Sequence, residues 1–245
     1  LIIVDECHRG SAKEESRWRR VLEYFQSATQ IGMTATPKED KEVSTSLYFG
    51  KPVYMYSYRQ GVDDGFLAPF VLESVTTSID DEWYPEEGIT DQNGNQLDGP
   101  YNRRDYDLHV MVDDRTRTVA KKVLEVVNRV DPYAKTIVFC RTIPHAEAMR
   151  IALTDLCPER MKEDDRYVVR ITGDSGKEYL DDFNDKNSRY PVIVTTSELL
   201  TTGSDCFMTK VVAIDKTVNS ATEFKQIIGR GSRLDTQRNK WFFVL

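Results

Sequence analysis

Cysteine and histidine are scarce in this chain, with four of the first and three of the second. Cys7, Cys140, Cys157 and Cys206 are scattered and form no CxxC pair, which argues against zinc and redox motifs. Reduced thiols are the expectation. His8, His109 and His145 are too few and too far apart for a His-based metal site to be expected. No apolar run approaches the roughly 18 residues that span a bilayer, so no membrane association is expected. Leu1 to Val4 is too short for a signal-peptide core, and no basic region precedes it. Excess positive charge is lacking too: 33 cations face 40 acids, for a net charge of −7. That argues against holding nucleic acid by bulk charge. No G-x-x-x-x-G-K-[ST] phosphate loop occurs, and there is no internal repeat or low-complexity tract.

What is present fits one large domain or two small ones, over 245 residues. The chain starts without Met, mid-pattern, and reads as an excerpt of something longer. Its acidity is local. Asp80 to Asp114 holds eleven acids and two arginines, net −9, and the remainder nets +2. Asn93-Gly94 at the centre of this segment signals a hairpin turn. The segment 80–114 is therefore expected to be an insertion or linker, lying away from any DNA track. It separates residues 1–79 from 115–245.

Leu1 to Val4 reads as a strand buried on both faces. Ser11-x-x-Glu14 reads as a capping box, and Trp18, Val21, Leu22 and Phe25 follow at helical spacing. Ala28 to Met33 is a second short strand. Val53 to Tyr58 and Phe70 to Ile79 look extended. Beyond the acidic segment, helices are expected over 115–129, 144–156, 177–184 and 221–228. Strands are expected over 136–139, 167–171, 192–195, 211–214 and 241–245. This alternation implies an α/β fold with a doubly wound parallel sheet. Ligands gather at the carboxyl ends of such strands.

Five stretches carry chemistry. Asp5-Glu6-Cys7-His8 follows the first apolar strand, where one acid can reach a metal on phosphates and a second can orient water. Alone, it is equally a solvated turn or helix cap. Thr34-Ala35-Thr36-Pro37 follows the second strand and is equally an ST-turn. Arg141 ends the strand Ile137-Val138-Phe139. Thr195-Thr196-Ser197 ends another and leads to Thr202-Gly203-Ser204-Asp205, where hydroxyls can bind backbone phosphate. Gln226-x-x-Gly229-Arg230-x-x-Arg233 places two arginines three apart at a helix end, sharing one side. Guanidinium forks match phosphate oxygens, although a basic helix end also simply favours the dipole.

In order and spacing, these five stretches resemble motifs II to VI of superfamily 2 helicases and translocases. Tyr48 to Tyr54, Tyr58 to Pro69 and Asp5 to Gly10 are similar to the motor subunit of type I restriction endonucleases. The resemblance covers essentially the whole chain. It implies two RecA-like lobes, the first truncated at its N-terminal side. Residues 1–79 would be the end of that lobe and 115–245 the second lobe. It also implies an ATP-dependent translocase on double-stranded DNA, with ATP and Mg²⁺ at the cleft between the lobes. Methyltransferase and specificity subunits would be its partners, in a prokaryotic cytoplasm.

Residue by residue, the resemblance implies that Asp5 holds Mg²⁺ through water and Glu6 activates the attacking water. His8 couples the nucleotide site to the second lobe, with Gln226. Thr34 and Thr36 link hydrolysis to lobe movement. Gly203 and Asp205 touch the nucleotide. Arg141, Thr196 and Ser197 lie on the nucleic-acid track, and Arg230 and Arg233 are the arginine fingers. The family's phosphate loop precedes the Asp-Glu motif and its nuclease domain is also absent here, so the excerpt alone is expected to be inactive. The rivals are another superfamily 2 enzyme (a type III restriction motor or repair helicase) and a non-catalytic RecA-like scaffold.

Overall fold

A computed structural model describes residues 1–7, 17–35, 48–76, 96, 113–197 and 206–245. The chain divides into two compact units, Leu1–Gly61 with Asn219–Gln226, and Val62–Val218 with Ile227–Leu245. The capping box at Ser11 and the hairpin signal at Asn93-Gly94 lie outside the described residues.

In the first unit, strand β1 (Ile2–Val4) pairs in parallel with β2 (Gln30–Gly32), with helix α1 (Arg17–Tyr24) between them in sequence. Gln30 ties these elements together. Its amide donates to the Leu22 carbonyl at 2.8 Å, and its Oε1 accepts from the Tyr48 hydroxyl at 2.7 Å. Gly32 is required by packing, since a Cβ there would lie 2.9 Å from the Phe49 ring and 3.0 Å from Cys7 Sγ. The two-faced burial expected of β1 is not seen among the described residues. Ile3 and Ile31 face each other in register, and both are exposed. A two-stranded ribbon has two faces, and only one is covered here.

Helix α2 (Tyr58–Asp63) starts where an extended segment is expected, and Val53 to Tyr56 are exposed without strand pairing. The cause is a capping box. The Gln60 N–H donates to Ser57 Oγ at 3.2 Å, and the Ser57 N–H donates to Gln60 Oε1 at 2.8 Å. Two orphan donors of the first turn are thereby satisfied.

The second unit is built on six parallel strands in the order β3-β8-β7-β4-β6-β5. These are β3 (Phe70–Val71), β4 (Lys135–Cys140), β5 (Val168–Arg170), β6 (Ile193–Thr196), β7 (Thr209–Asp215) and β8 (Phe243–Val244). Every residue of β4 is buried, as a central parallel strand requires. Alternate residues serve opposite faces. Val138 and Cys140 pack with Leu124 and Val127 of α3 (Asp113–Val130) and with Met149 and Leu153 of α4 (Ile143–Leu156). Ile137 and Phe139 pack with Phe183 of α6 (Leu180–Asn184) and with Ile227 and Ile228 near the end of α7 (Ala221–Gly231). Helices thus cover both faces, the doubly wound arrangement anticipated from the alternation.

Several elements differ from expectation. Helix α5 (Pro158–Glu163) is an addition to the expected set. The helix expected over 177–184 is a 3₁₀ turn, Lys177–Tyr179, followed by α6. Strand β3 pairs with β8, so residues from Val62 onward group with the second unit rather than with the segment 1–79. Only Phe70 and Val71 of the extended run 70–79 form a strand, and 77–79 lie outside the described residues.

Candidate nucleotide and nucleic-acid site

The carboxyl end of β1 delivers Asp5, Glu6 and Cys7 into a tight turn. The Glu6 N–H donates to Asp5 Oδ1 at 2.8 Å. The Cys7 N–H donates to the Met33 carbonyl at 3.0 Å, and the Met33 N–H donates to the Val4 carbonyl at 2.8 Å. These bonds fix the turn against the end of β2, just before Thr34, which is half-buried. Glu6 is strained, with φ of 49° in the left-handed region. A non-glycine residue there costs about 1–2 kcal/mol, and such strain clusters at functional sites. Asp5 is exposed and Glu6 half-buried. Burial pushes the Cys7 thiol up, and the Asp5 and Glu6 charges push the same way. Cys7 is therefore a neutral packing residue beneath two acids. His8 and Thr36 lie outside the described residues.

In the second unit, β4 ends beside Arg141, which is half-buried. Thr142 caps α4, its side chain accepting from the His145 N–H at 3.2 Å. At the end of β6, Thr195 Oγ1 donates to the Ala146 carbonyl at 2.8 Å. Thr196, expected on the nucleic-acid track, is 1% exposed, so its hydroxyl does not face solvent. Ser197 is half-buried. Gly203 and Asp205 lie outside the described residues.

Helix α7 begins where Ser220 Oγ accepts from the Glu223 N–H at 3.0 Å. Gln226 lies within it, half-buried, as does Arg230 in its last turn. The helix stops at Gly231, so Arg233 is not on its face and the shared helical side expected for the two arginines does not form. Close packing at Gly231 and one hydrogen bond just beyond it hold the chain here. A Cβ at Gly231 would sit 2.3 Å from the Phe243 ring, and the Ala68 N–H donates to the Ser232 carbonyl at 2.8 Å. Arg233 is exposed, bridged to Leu67, with its guanidinium 5.6 Å from the Phe207 ring centre.

Among the described residues, no group of three or more His, Cys, Asp or Glu side chains could hold a metal ion by itself. A single exposed carboxylate such as Asp5 still suits Mg²⁺, which keeps several waters and shares its remaining positions with substrate phosphates. No helix among the described residues is long and apolar enough to cross a membrane.

Comparison with known proteins extends these observations. Residues 1–39 match the family described as "Type III restriction enzyme, res subunit". The whole chain is 52% identical to the type I restriction enzyme EcoAI endonuclease subunit of Escherichia coli, spanning 31% of that protein. It aligns over its whole length, at 40% identity and a TM-score of 0.78, with a fragment structure of a type I restriction enzyme HsdR subunit from Vibrio vulnificus YJ016. The chain is a homologue of type I restriction enzyme endonuclease subunits. It spans 42% of the Vibrio chain, so it corresponds to less than half of these relatives. The Lhr helicase of Mycobacterium smegmatis shares the fold, with a TM-score of 0.55 at 20% identity over 93% of this chain.

In this restriction-subunit homologue, three residues meet at the carboxyl end of β7 that sequence patterns do not bring together. Asp215 ends β7, with Oδ1 2.8 Å from Arg115 Nη2 and Oδ2 3.2 Å from His145 Nε2. All three are buried. Burial alone would raise the Asp215 carboxyl, but His145 and Arg115 together outweigh it and hold the group below the ordinary carboxylate value. His145 Nδ1 accepts from the Arg141 N–H at 3.3 Å. The network therefore reaches the backbone of the one expected track residue that is a cation. The signal that points to Asp5, an acid closing an apolar strand, is equally present at Asp215.

Proposed function

We propose that this chain is the motor part of a type I restriction endonuclease subunit, an ATP-dependent translocase on double-stranded DNA. The observation that supports it most is the 52% identity to the E. coli EcoAI endonuclease subunit along the entire chain. Asp5 and Glu6 on a hydrogen-bonded turn, and Arg230 and Arg233 at and beyond the end of α7, supply the residue types that such chemistry needs.

In this reading Asp5 would hold Mg²⁺, and Glu6 orients the attacking water and draws on its proton. Mg²⁺, when bound, neutralises charge on the β- and γ-phosphates. Arg230 and Arg233 meet the charge that develops on the γ-phosphate, where the planar fork matches the oxygens. His8, Gly203, Asp205 and Gln226 complete the nucleotide contacts at the cleft between two lobes. Thr34 and Thr36 couple hydrolysis to movement. Arg141 and Ser197 grip backbone phosphate without reading bases, as a motor on arbitrary sequence must. Thr196 supports them from within the sheet. Methyltransferase and specificity subunits are the partners, and the cytoplasm is the compartment.

A type III restriction motor is the second reading, favoured by the family matched over residues 1–39. One experiment serves both. The full protein, with its partner subunits, is mixed with DNA carrying a third strand at increasing distances from the recognition site. A motor displaces that strand only with ATP, after a lag that grows with distance. No displacement at any distance would sink the motor reading. Displacement without a separate specificity subunit would favour the type III alternative.

A further inference from the structure

A charged concavity lies at the end of the six-stranded sheet opposite Arg141. It sits at the amino ends of β4, β6 and β7, has a volume of about 210 Å³, and is lined by Lys135, Lys186, Arg189, Lys210, Ser188 and Asp131 among others. Arg141 lies beyond the far end of β4, roughly 20 Å from Lys135 at about 3.3 Å per residue. The pocket is therefore separate from the site described above.

Its charge is unlike that of the chain. Four cations face one carboxylate in a protein of net charge −7. The neutralising interactions are loose. Lys210 Nζ is 4.0 Å from Asp131 Oδ2, and Lys186 Nζ is 3.9 Å from Asp235 Oδ2. Arg189 is exposed, its guanidinium 4.5 Å from the Tyr133 ring centre, and no carboxylate among the described residues pairs with it. Lys135 is 5% exposed, and its ammonium donates to two neutral carbonyls, of Pro191 at 2.8 Å and Asp182 at 3.4 Å. Burial has pulled its pKa down to about 8. Asp182 and Asp185 act on the ammonium from a distance and the Phe183 ring centre is 5.2 Å away, but its direct hydrogen bonds are to neutral carbonyls, and a buried cation so held gains from a nearby anion. Pockets that enclose drug-sized ligands run to about 300–1,000 Å³. This one is smaller, so it suits a single anionic group rather than a whole nucleotide.

We propose that this pocket receives one phosphate group, with the Arg189 fork and the Lys186 and Lys210 ammonium groups meeting its oxygens above Lys135. That group is either a DNA-backbone phosphate held away from the motor track or a free phosphate anion.

The test uses the full protein as wild type, Arg189→Ala and the double variant Arg189→Ala/Lys210→Ala, with a melting temperature within a degree or so of wild type as the folding control. Inorganic phosphate is titrated calorimetrically while the nucleotide site is saturated with a non-hydrolysable ATP analogue. Affinity should fall at least tenfold in the double variant. DNA affinity is then measured against salt. If backbone phosphate is the occupant, the slope of log K against log salt shrinks by about one for each DNA phosphate that is no longer neutralised. Reduced phosphate binding with an unchanged slope assigns the pocket to a free anion. Unchanged phosphate binding together with an unchanged slope overturns the proposal. The phosphate arm is independent of the motor reading, so failure of that reading leaves it standing.

Discussion

Asp215 Oδ1 stands 2.8 Å from Arg115 Nη2, joining the end of β7 to the first turn of α3 across 100 residues of sequence. The carboxylate also lies 3.2 Å from His145 Nε2. Neutralising Asp215 takes away the negative charge that faces the buried Arg115. Breaking such a pair by one partner costs about 3–5 kcal/mol. We expect Asp215→Asn to lower the melting temperature of the protein markedly. The depressed carboxyl also sets a sign. Its contribution is complete above the ordinary carboxylate pKa and is lost as pH falls through the folded value. Wild type should therefore lose its advantage over Asp215→Asn as the solution is acidified. A constant difference from neutral to acid pH would show that the pair is not carrying charge.

Lys135 has a dependence of the same sign, in an alkaline range, but here the charged form is the disfavoured one. Its pKa falls from the ordinary 10.5 to about 8 because burial disfavours the charge. Between those values the unfolded chain binds the proton and the folded chain does not, so unfolding free energy rises with pH. At about 1.4 kcal/mol per pKa unit, the rise approaches roughly 3 kcal/mol. Lys135→Met should lack it. Denaturant unfolding of both proteins at pH 7 and above 10 checks this, and parallel pH curves would remove Lys135 as the cause.

Gly176 and Gly65 both have positive φ, of 80° and 77°. Only Gly176 has backbone in the way, since a Cβ there would lie 1.9 Å from the Arg170 carbonyl oxygen, whereas nothing lies within 4 Å at Gly65. Alanine where φ is positive costs more than about 1 kcal/mol. We expect Gly176→Ala to destabilise clearly more than Gly65→Ala. Equal melting temperatures would mean the loop after β5 relaxes freely.

Legibility in the sequence follows the length and continuity of the apolar pattern. The strands β4, β6 and β7 are readable because a buried parallel strand is a near-continuous β-branched run. Helix α2 is not, although Ser57 and Gln60 stand at capping-box spacing; its six residues include Gly61, and an aromatic-rich run precedes it. Strand β3 is two residues long, and its pairing with β8 is a tertiary fact with no local trace. At the site, motif order leads to the Asp5-Glu6 turn and to the arginines. The need for glycine at position 231 escapes local reading because it comes from Phe243, a residue twelve positions further on. The Arg115–Asp215–His145 network joins three separated segments, and no spacing rule links them.

Glu6 and Asp5 should separate in function. In the full protein, Glu6→Gln keeps shape and should bind ATP without turnover. Asp5→Asn should weaken Mg²⁺-dependent nucleotide binding. Near-normal hydrolysis by Glu6→Gln would reduce it to a strained structural acid at a strand end.

Arg230 and Arg233 test the motor account most directly. An arginine finger is worth about 10³–10⁵ in turnover, while a surface cation at a helix end contributes about 0.3–1 kcal/mol of stability and no catalysis. The measurement is DNA-stimulated ATPase rate with nucleotide and DNA affinities in parallel, in the full protein, for Arg230→Ala, Arg233→Ala and the corresponding lysine variants. We expect each alanine variant to lose stimulated hydrolysis with nucleotide affinity within roughly tenfold of wild type. Lysine should not rescue, because it lacks the planar fork. Normal turnover with weakened DNA binding would move the pair to the nucleic-acid track and contradict the mechanism.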